Sequence, residues 1–418
     1  MDSIAIIIKS FPLKMTPVLI FALLCATRST TALLNRDEKE VVDNTNLKGV
    51  RALAISPDGK NVYGVSYDSN SIVHWDRDST GTLTNQVSKI DSVNLYSAMS
   101  VAISSDGKNV YAVAEGAVAD DSYIVHWDRS STGALTNQVN LPIVVIPMSV
   151  TVSPDGKNVY VVTHDGSMIH WVRNLNTGAL TSQVNAAADN QYYSSVIVSP
   201  DNQNVYAVAG MSPDSTPNSK SIVHWDRNLT TGALTNKVST TKSYLDAAQD
   251  VTISPDGKHV YAASWNYDGI IYWNRDLITG ALTSVRKIKD TTRLFGVSGV
   301  TVSPDGKKVY AVSTAYQRIV YWDRDSTTGE LSNEEISSEY TESLSNAGYD
   351  VIVSPDNKNV YVAAYSSNSI VYFTDSPSGN EEASPSPSSN EEWANDSTIT
   401  SINTVFAFLV TITICFLA

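Results

Sequence analysis

Apolar and polar positions alternate with a period of two along most of this chain, in short runs broken by turn-forming residues. Val150-Thr151-Val152 and Asn158-Val159-Tyr160-Val161-Val162 flank Ser153-Pro154-Asp155-Gly156-Lys157. Two β-branched, aromatic-rich runs around a short turn predict a hairpin. Pro presets φ at the first turn position, Asp bonds its own backbone, and Gly supplies positive φ. In two further copies Asn202 and Asn357 replace the Gly. Asn is the residue that best tolerates a left-handed backbone after Gly, so the exchange follows turn physics.

A third strand follows, as in Ser71-Ile72-Val73-His74-Trp75-Asp76-Arg77, with His74 and Trp75 on opposite faces. A Thr-Gly turn (Thr132-Gly133, Thr177-Gly178) then leads to a fourth strand such as Leu135-Thr136-Asn137-Gln138-Val139. The unit occurs seven times. Its turn Asp stands at Asp58, Asp106, Asp155, Asp201, Asp256, Asp305 and Asp356, at spacings of 48, 49, 46, 55, 49 and 51 residues. Repeats of this length with strand content predict an all-β, seven-bladed β-propeller of four-stranded antiparallel blades. The seventh copy stops after Ser369-Ile370-Val371-Tyr372-Phe373, without a Thr-Gly turn. An unfinished blade exposes an edge. We therefore expect Leu33 to Asp43 to supply its outer strand and latch the ring, burying two or three of Leu33, Leu34, Val41 and Val42.

The ends differ from the repeats. Residues 1–32 read as a secretory signal, with Lys9 and Lys14 ahead of an apolar run from Met15 to Ala26. The propeller spans 33–375, and the Ser/Pro/Glu-rich stretch 376–397 reads as a disordered stalk. The last 14 residues, Val405 to Ala418, are apolar with no basic residue behind them. Residues 398–418 thus resemble the signal for a glycosylphosphatidylinositol (GPI) anchor more than a spanning helix, with attachment at Asn395 or, alternatively, Ser388. The expected location is the extracellular cell surface, with membrane contact through that anchor. Asn228-Leu229-Thr230 is a glycosylation sequon in a predicted loop. Both cysteines, Cys25 and Cys415, fall in segments expected to be removed, so the ring must hold without disulfides. A net charge of −14 with 29 basic residues disfavours nucleic acid as a partner.

The phrase Val150 to Val161, followed by Thr177-Gly178-Ala179-Leu180-Thr181, resembles the seven-bladed lactonase-like propellers and related YVTN-type surface repeats. The resemblance covers about 33–375 and implies the blade more specifically than any activity. That group includes 6-phosphogluconolactonase-like and muconate-cyclising enzymes and surface proteins. Its enzymes are expected to use His, Glu and Arg near the mouth of the central channel.

The residues themselves point to few sites. His74, His126, His170 and His224 share one repeated slot with Tyr272, Tyr321 and Tyr372, which marks blade packing. His164 and His259 fall in or beside turns and read as solvated loop residues. Arg77, Arg129, Arg173, Arg227, Arg275 and Arg324 repeat, as a structural ion pair at the blade ends would. No metal-ligand spacing, phosphate loop or nucleophile elbow is present, so no metal or cofactor is implied. Repeat-breaking positions carry more information. Four residues before each turn Ser, the innermost strands read Ala52, Ser100, Ser149, Ser195, Asp250, Gly299 and Asp350. Asp250 and Asp350 are weak catalytic or ligand-binding candidates; alternatively they cap backbone amides. Arg51, Gln249 and Tyr349 neighbour them as secondary ligand-binding candidates, and the loops Glu115 to Ser122 and Gly210 to Lys220 are expected to wall one mouth. The expected function is a cell-surface binding or structural module for an extracellular small molecule, glycan or protein. The alternative is a secreted lactonase-like hydrolase or cyclase with its site in the channel, so whether the chain is an enzyme stays open at this stage.

Overall fold

The turn after each innermost strand is built in the same way, as Ser56-Pro57-Asp58-Gly59 shows in the first blade. Ser56 Oγ donates to Asp58 Oδ1 (2.5 Å) and accepts from the Asn61 amide (3.0 Å), while Gly59 takes φ +68°. Asn202 (φ +65°) and Asn357 (φ +60°) hold the same left-handed position, as the exchange predicted. The computed structural model describes residues 38–117, 121–186, 191–210, 220–336 and 348–374. Residues 1–32, the stalk, the tail with Asn395 and Ser388, Leu33 and Leu34, and loop residues 211–219 lie outside them. Among the described residues no helix is long and apolar enough to cross a membrane.

Seven four-stranded antiparallel sheets form a propeller. In blade one the strands are Val50–Ile55, Asn61–Ser66, Ser71–Arg77 and Leu83–Ile90, from axis to rim. The other innermost strands are Ala98–Ile103, Pro147–Val152, Tyr193–Val198, Ala248–Ile253, Val297–Val302 and Gly348–Val353. One apolar cluster fills each interface between blades. Trp75 packs back onto blade seven, with Tyr361 and Tyr372, while Tyr63 and Ile72 pack forward onto Trp127 and Ala98 of blade two. The slot shared by His and Tyr is buried, and each ring stacks on a tyrosine of the adjacent strand, as His74 does on Tyr63 at 5.6 Å. Neither face of a blade is stable in water alone, which is why the repeats must associate.

The repeated arginines join neighbouring blades. Arg129 bonds Tyr63 Oη (3.0 Å), Asn61 Oδ1 (2.5 Å) and the Asp58 carboxylate (3.1 Å), all in the preceding blade. Tyr63 Oη in turn donates to the Gly133 carbonyl (2.7 Å). Gly133 is required there: at φ +85° a Cβ would come within 2.3 Å of the Asn61 side chain. The same clasp recurs with Arg77, Arg173, Arg227, Arg275 and Arg324. In the sequence, the seventh repeat has Asp375 in place of the arginine. Asp305 accordingly pairs with Lys307 of its own turn at 3.7 Å.

The ring closes as expected, with Glu38–Val42 pairing antiparallel to Ser369–Thr374 as the outer strand of blade seven. Burial of Val42 is smaller than expected, while Leu33 and Leu34 lie outside the described residues. Val41 is half-buried and Val42 is 52% exposed. The strand is held instead by its ladder and by polar contacts with blade one: Lys39 Nζ donates to Thr82 Oγ1 (2.8 Å), and Gln86 Nε2 to Asp43 Oδ2 (2.5 Å). His259 is a second correction. It is 1% exposed, replaces the clasp asparagine, and its Nδ1 lies 2.6 Å from Arg324 Nη2. The sequon residue Asn228 is exposed, and its side-chain oxygen accepts the Thr230 and Thr231 amides (2.9 and 3.0 Å).

Candidate functional site

Every innermost strand carries a β-bulge at the same place. The pairing register skips Arg51, Met99, Met148, Ser194, Gln249, Ser298 and Tyr349 in the seven blades. A bulge inserts an unpaired residue and re-aims its side chain. Here all seven extra residues line one axial cavity of about 150 Å³, together with Ala52, Ser100, Ser149, Ser195, Asp250 and Asp350. The sequence candidates Arg51, Gln249, Tyr349, Asp250 and Asp350 are therefore brought together. The bulge itself was not anticipated. Its signal was present in the out-of-pattern residue before each small slot residue.

The two carboxylates are already engaged. Asp250 Oδ1 accepts from Ser195 Oγ and the Val251 amide (both 2.8 Å), and Oδ2 accepts from the Val300 amide of the next blade (3.0 Å). Asp350 Oδ2 accepts from the Leu53 amide across the ring closure (2.8 Å). Both cap edge amides that an innermost strand leaves unpaired. Each residue is half-buried and keeps access from the channel. Burial raises the pKa of Asp250 despite its hydrogen bonds. That of Asp350 is pushed up to about 7, first by burial and then by the charge of Asp250.

Arg51 stands differently. Its guanidinium lies over the rings of Tyr67 (5.6 Å) and Tyr349 (5.7 Å), and Tyr349 packs on Tyr365 at 5.1 Å. Among the described residues its side chain makes no hydrogen bond and no ion pair. Burial lowers its pKa, while the surrounding tyrosines and Glu115 favour the charge. Among the described residues Gln249 Nε2 bonds only the Ala247 carbonyl two residues away (3.3 Å).

A second cavity, of about 490 Å³, lies among the connecting segments of blades two and three. Tyr96, Glu115, Val144, Val145, Ile146 and His164 contribute to its walls. The described part of the loop Glu115 to Ser122 walls this cavity. His164 is half-buried and meets the Tyr192 ring edge-on at 4.6 Å, so it is not the solvated residue its turn suggested. Among the described residues no group of three or more His, Cys, Asp or Glu could hold a metal ion.

The family described as "Lactonase, 7-bladed beta-propeller" matches residues 17–198 and 251–384. This chain belongs to that lactonase family. Solved structures similar to the lactonase-family propeller include a putative 6-phosphogluconolactonase from Bacteroides uniformis, 19% identical over 77% of this chain and 91% of that one (TM-score 0.56). Hydrazine synthase of Kuenenia stuttgartiensis is 16% identical over 80% and 97% (TM-score 0.58). The Cps50 (Swd1) β-propeller domain of Myceliophteria thermophila is 10% identical over 80% and 99% (TM-score 0.59). At these identities the likeness is one of fold. No curated protein matches the chain in sequence.

Proposed function

We propose that this lactonase-family propeller works outside the cell as a binding module, holding a small anionic ligand at the mouth of its channel. One observation carries the reading: Arg51 is a channel cation with no hydrogen-bonding partner among the described residues, whereas both channel carboxylates already serve backbone amides. A poorly solvated, unpaired cation is costly, and an arriving anion removes that cost. Tyrosine rings lie against the guanidinium faces, so its N–H edge is the route for a bidentate carboxylate or phosphate. The secretory signal, stalk and C-terminal tail read from the sequence support display at the cell surface through a lipid anchor.

A hydrolase is the second reading, favoured by family membership and by Asp350, whose pKa of about 7 suits proton transfer at neutral pH. The full-length chain, titrated calorimetrically with citrate and inorganic phosphate and incubated with a lactone panel, separates the two. We expect anion binding without turnover, and Arg51→Gln should weaken it by about tenfold or more. Turnover that vanishes in a folded Asp350→Asn variant would reverse the assignment. Absence of Arg51-dependent binding would remove the binding site as described. Release from cells by phosphatidylinositol-specific lipase tests the anchor, and retention despite efficient lipase action would refute it.

A further inference from the structure

The axial cavity and its neighbour differ in what they can hold. About 150 Å³ is below the usual size of a small-molecule site, whereas about 490 Å³ lies within it. The axis thus accommodates a head group and the side cavity a body. Tyr67, whose ring lies by the Arg51 guanidinium, packs on the apolar cluster between blades two and three, against which Val145 and Ile146 of the side cavity also pack. The side cavity also offers a carboxylate. Glu115 is half-buried and makes no side-chain hydrogen bond or ion pair among the described residues. Asp165, on the same wall, is already engaged by Thr163 Oγ1 (2.6 Å) and by the Ser167 amide and hydroxyl (3.0 and 3.2 Å). Glu115 is near enough to Arg51 to act on its charge but forms no contact pair with it. An unpaired cation in the axial cavity and an unpaired anion in the side cavity are therefore within electrostatic range of each other, the anion beside an aliphatic wall.

We propose that the cavity between the second and third blades is the body of the binding site, and that it takes a zwitterion of the amino-acid class. The carboxylate seats on Arg51, the ammonium on Glu115, and an apolar side group against Val144, Val145 and Ile146. This rests on the reading of Arg51 as the anion seat. A site with both charges rejects ligands that lack either, because one buried group is then left unpaired.

The test is calorimetric titration of the full-length chain with leucine, N-acetylleucine and leucine amide. Leucine should bind about tenfold or more tightly than either derivative. Glu115→Gln should reduce leucine to the affinity of N-acetylleucine and leave N-acetylleucine within about twofold of its original value. If leucine and N-acetylleucine bind equally and both need Arg51, the anion seat stands and the zwitterion site is refuted. Tightest binding of leucine amide also refutes it. If no probe shows Arg51-dependent binding, both readings fall together.

Discussion

The first four blades and the last three grow from one repeat but resolve the same packing problem differently. In blades one to four the buried slot is His74, His126, His170 and His224, and directly opposite on the rim strand stand Val87, Val139, Val184 and Val238. In blades five to seven the slot is Tyr272, Tyr321 and Tyr372, opposite Arg286, Glu335 and Lys39. An imidazole stops within the stack on its tyrosine, and the valine beyond it can stay 44–50% exposed. A phenol reaches further and brings a hydroxyl that needs a polar neighbour. Tyr321 Oη donates to Glu335 Oε2, and the Arg286 guanidinium lies over the Tyr272 ring at 5.9 Å. Both channel carboxylates, the His259 and Lys308 exchanges and the junction without an arginine clasp also fall in the last three blades. A blade tolerates a new buried polar group when its cross-strand partner changes with it.

The clasp gives the largest expected effect. Arg173 has a fully buried side chain that holds Asp106, Asn109 and Tyr111 of the preceding blade. Arg173→Ala should cost about 3 kcal/mol in denaturant unfolding, the low end for a buried pair because Asp106 keeps 30% exposure. Asp305→Asn, at the junction lacking the clasp, should change stability by less than about 0.5 kcal/mol. Similar losses at the two positions would dissolve the distinction between junctions. Next comes the latch. Deleting Glu38–Val42 removes the ladder on Ser369–Thr374 and should cost about 2 kcal/mol while exposing an open edge; an unchanged melting temperature would show that the ring closes without it.

Tyr321→His converts a late slot to the early kind and leaves Glu335 without its phenol. A loss of about 1–2 kcal/mol is expected, mostly restored by adding Glu335→Val. Additive losses would mean that the two positions do not form a unit. The smallest effects are those of pH. Burial lowers the pKa of the four slot histidines from 6.5, so the unfolded chain takes up their protons first. Their contribution is intact above about pH 6.5 and is lost as pH falls through the folded-state values. Replacing all four by Gln should flatten that acid limb. Asp350 has the opposite sign: raised from 3.8 to about 7, it contributes fully below 3.8 and loses that contribution as pH rises through about 7. Asp350→Asn should flatten the stability profile over that interval, and an unaltered profile would contradict the raised value.

The blades were legible in the sequence because a period of two, turn chemistry and seven-fold repetition all agreed. The axial position of Asp250 and Asp350 was legible too, since they break a row of small residues. What escaped was partner identity. Arg129 sits beside Asp128 in sequence, yet it pairs with Asp58, one blade earlier; adjacency along a strand places side chains on opposite faces, so the nearest charge is the wrong one. His259 looked solvated because it follows a turn, but the next blade's arginine covers it. The bulges were missed because their signal is one residue out of phase with the alternation and not an unusual residue type. Val42 misled for a related reason: an apolar side chain on a rim strand needs no cover.

Seven extra residues facing one opening have an evolutionary consequence. Met99 joins the core between blades two and three, and Ser194 and Ser298 bond the next blade. Arg51, Met148, Gln249 and Tyr349 stand outside both the strand pairing and the blade cores, so these four can be exchanged with little demand on the rest of the wheel. Selection can therefore rewrite what the opening admits, one letter at a time, while the framework around it goes on assembling unchanged.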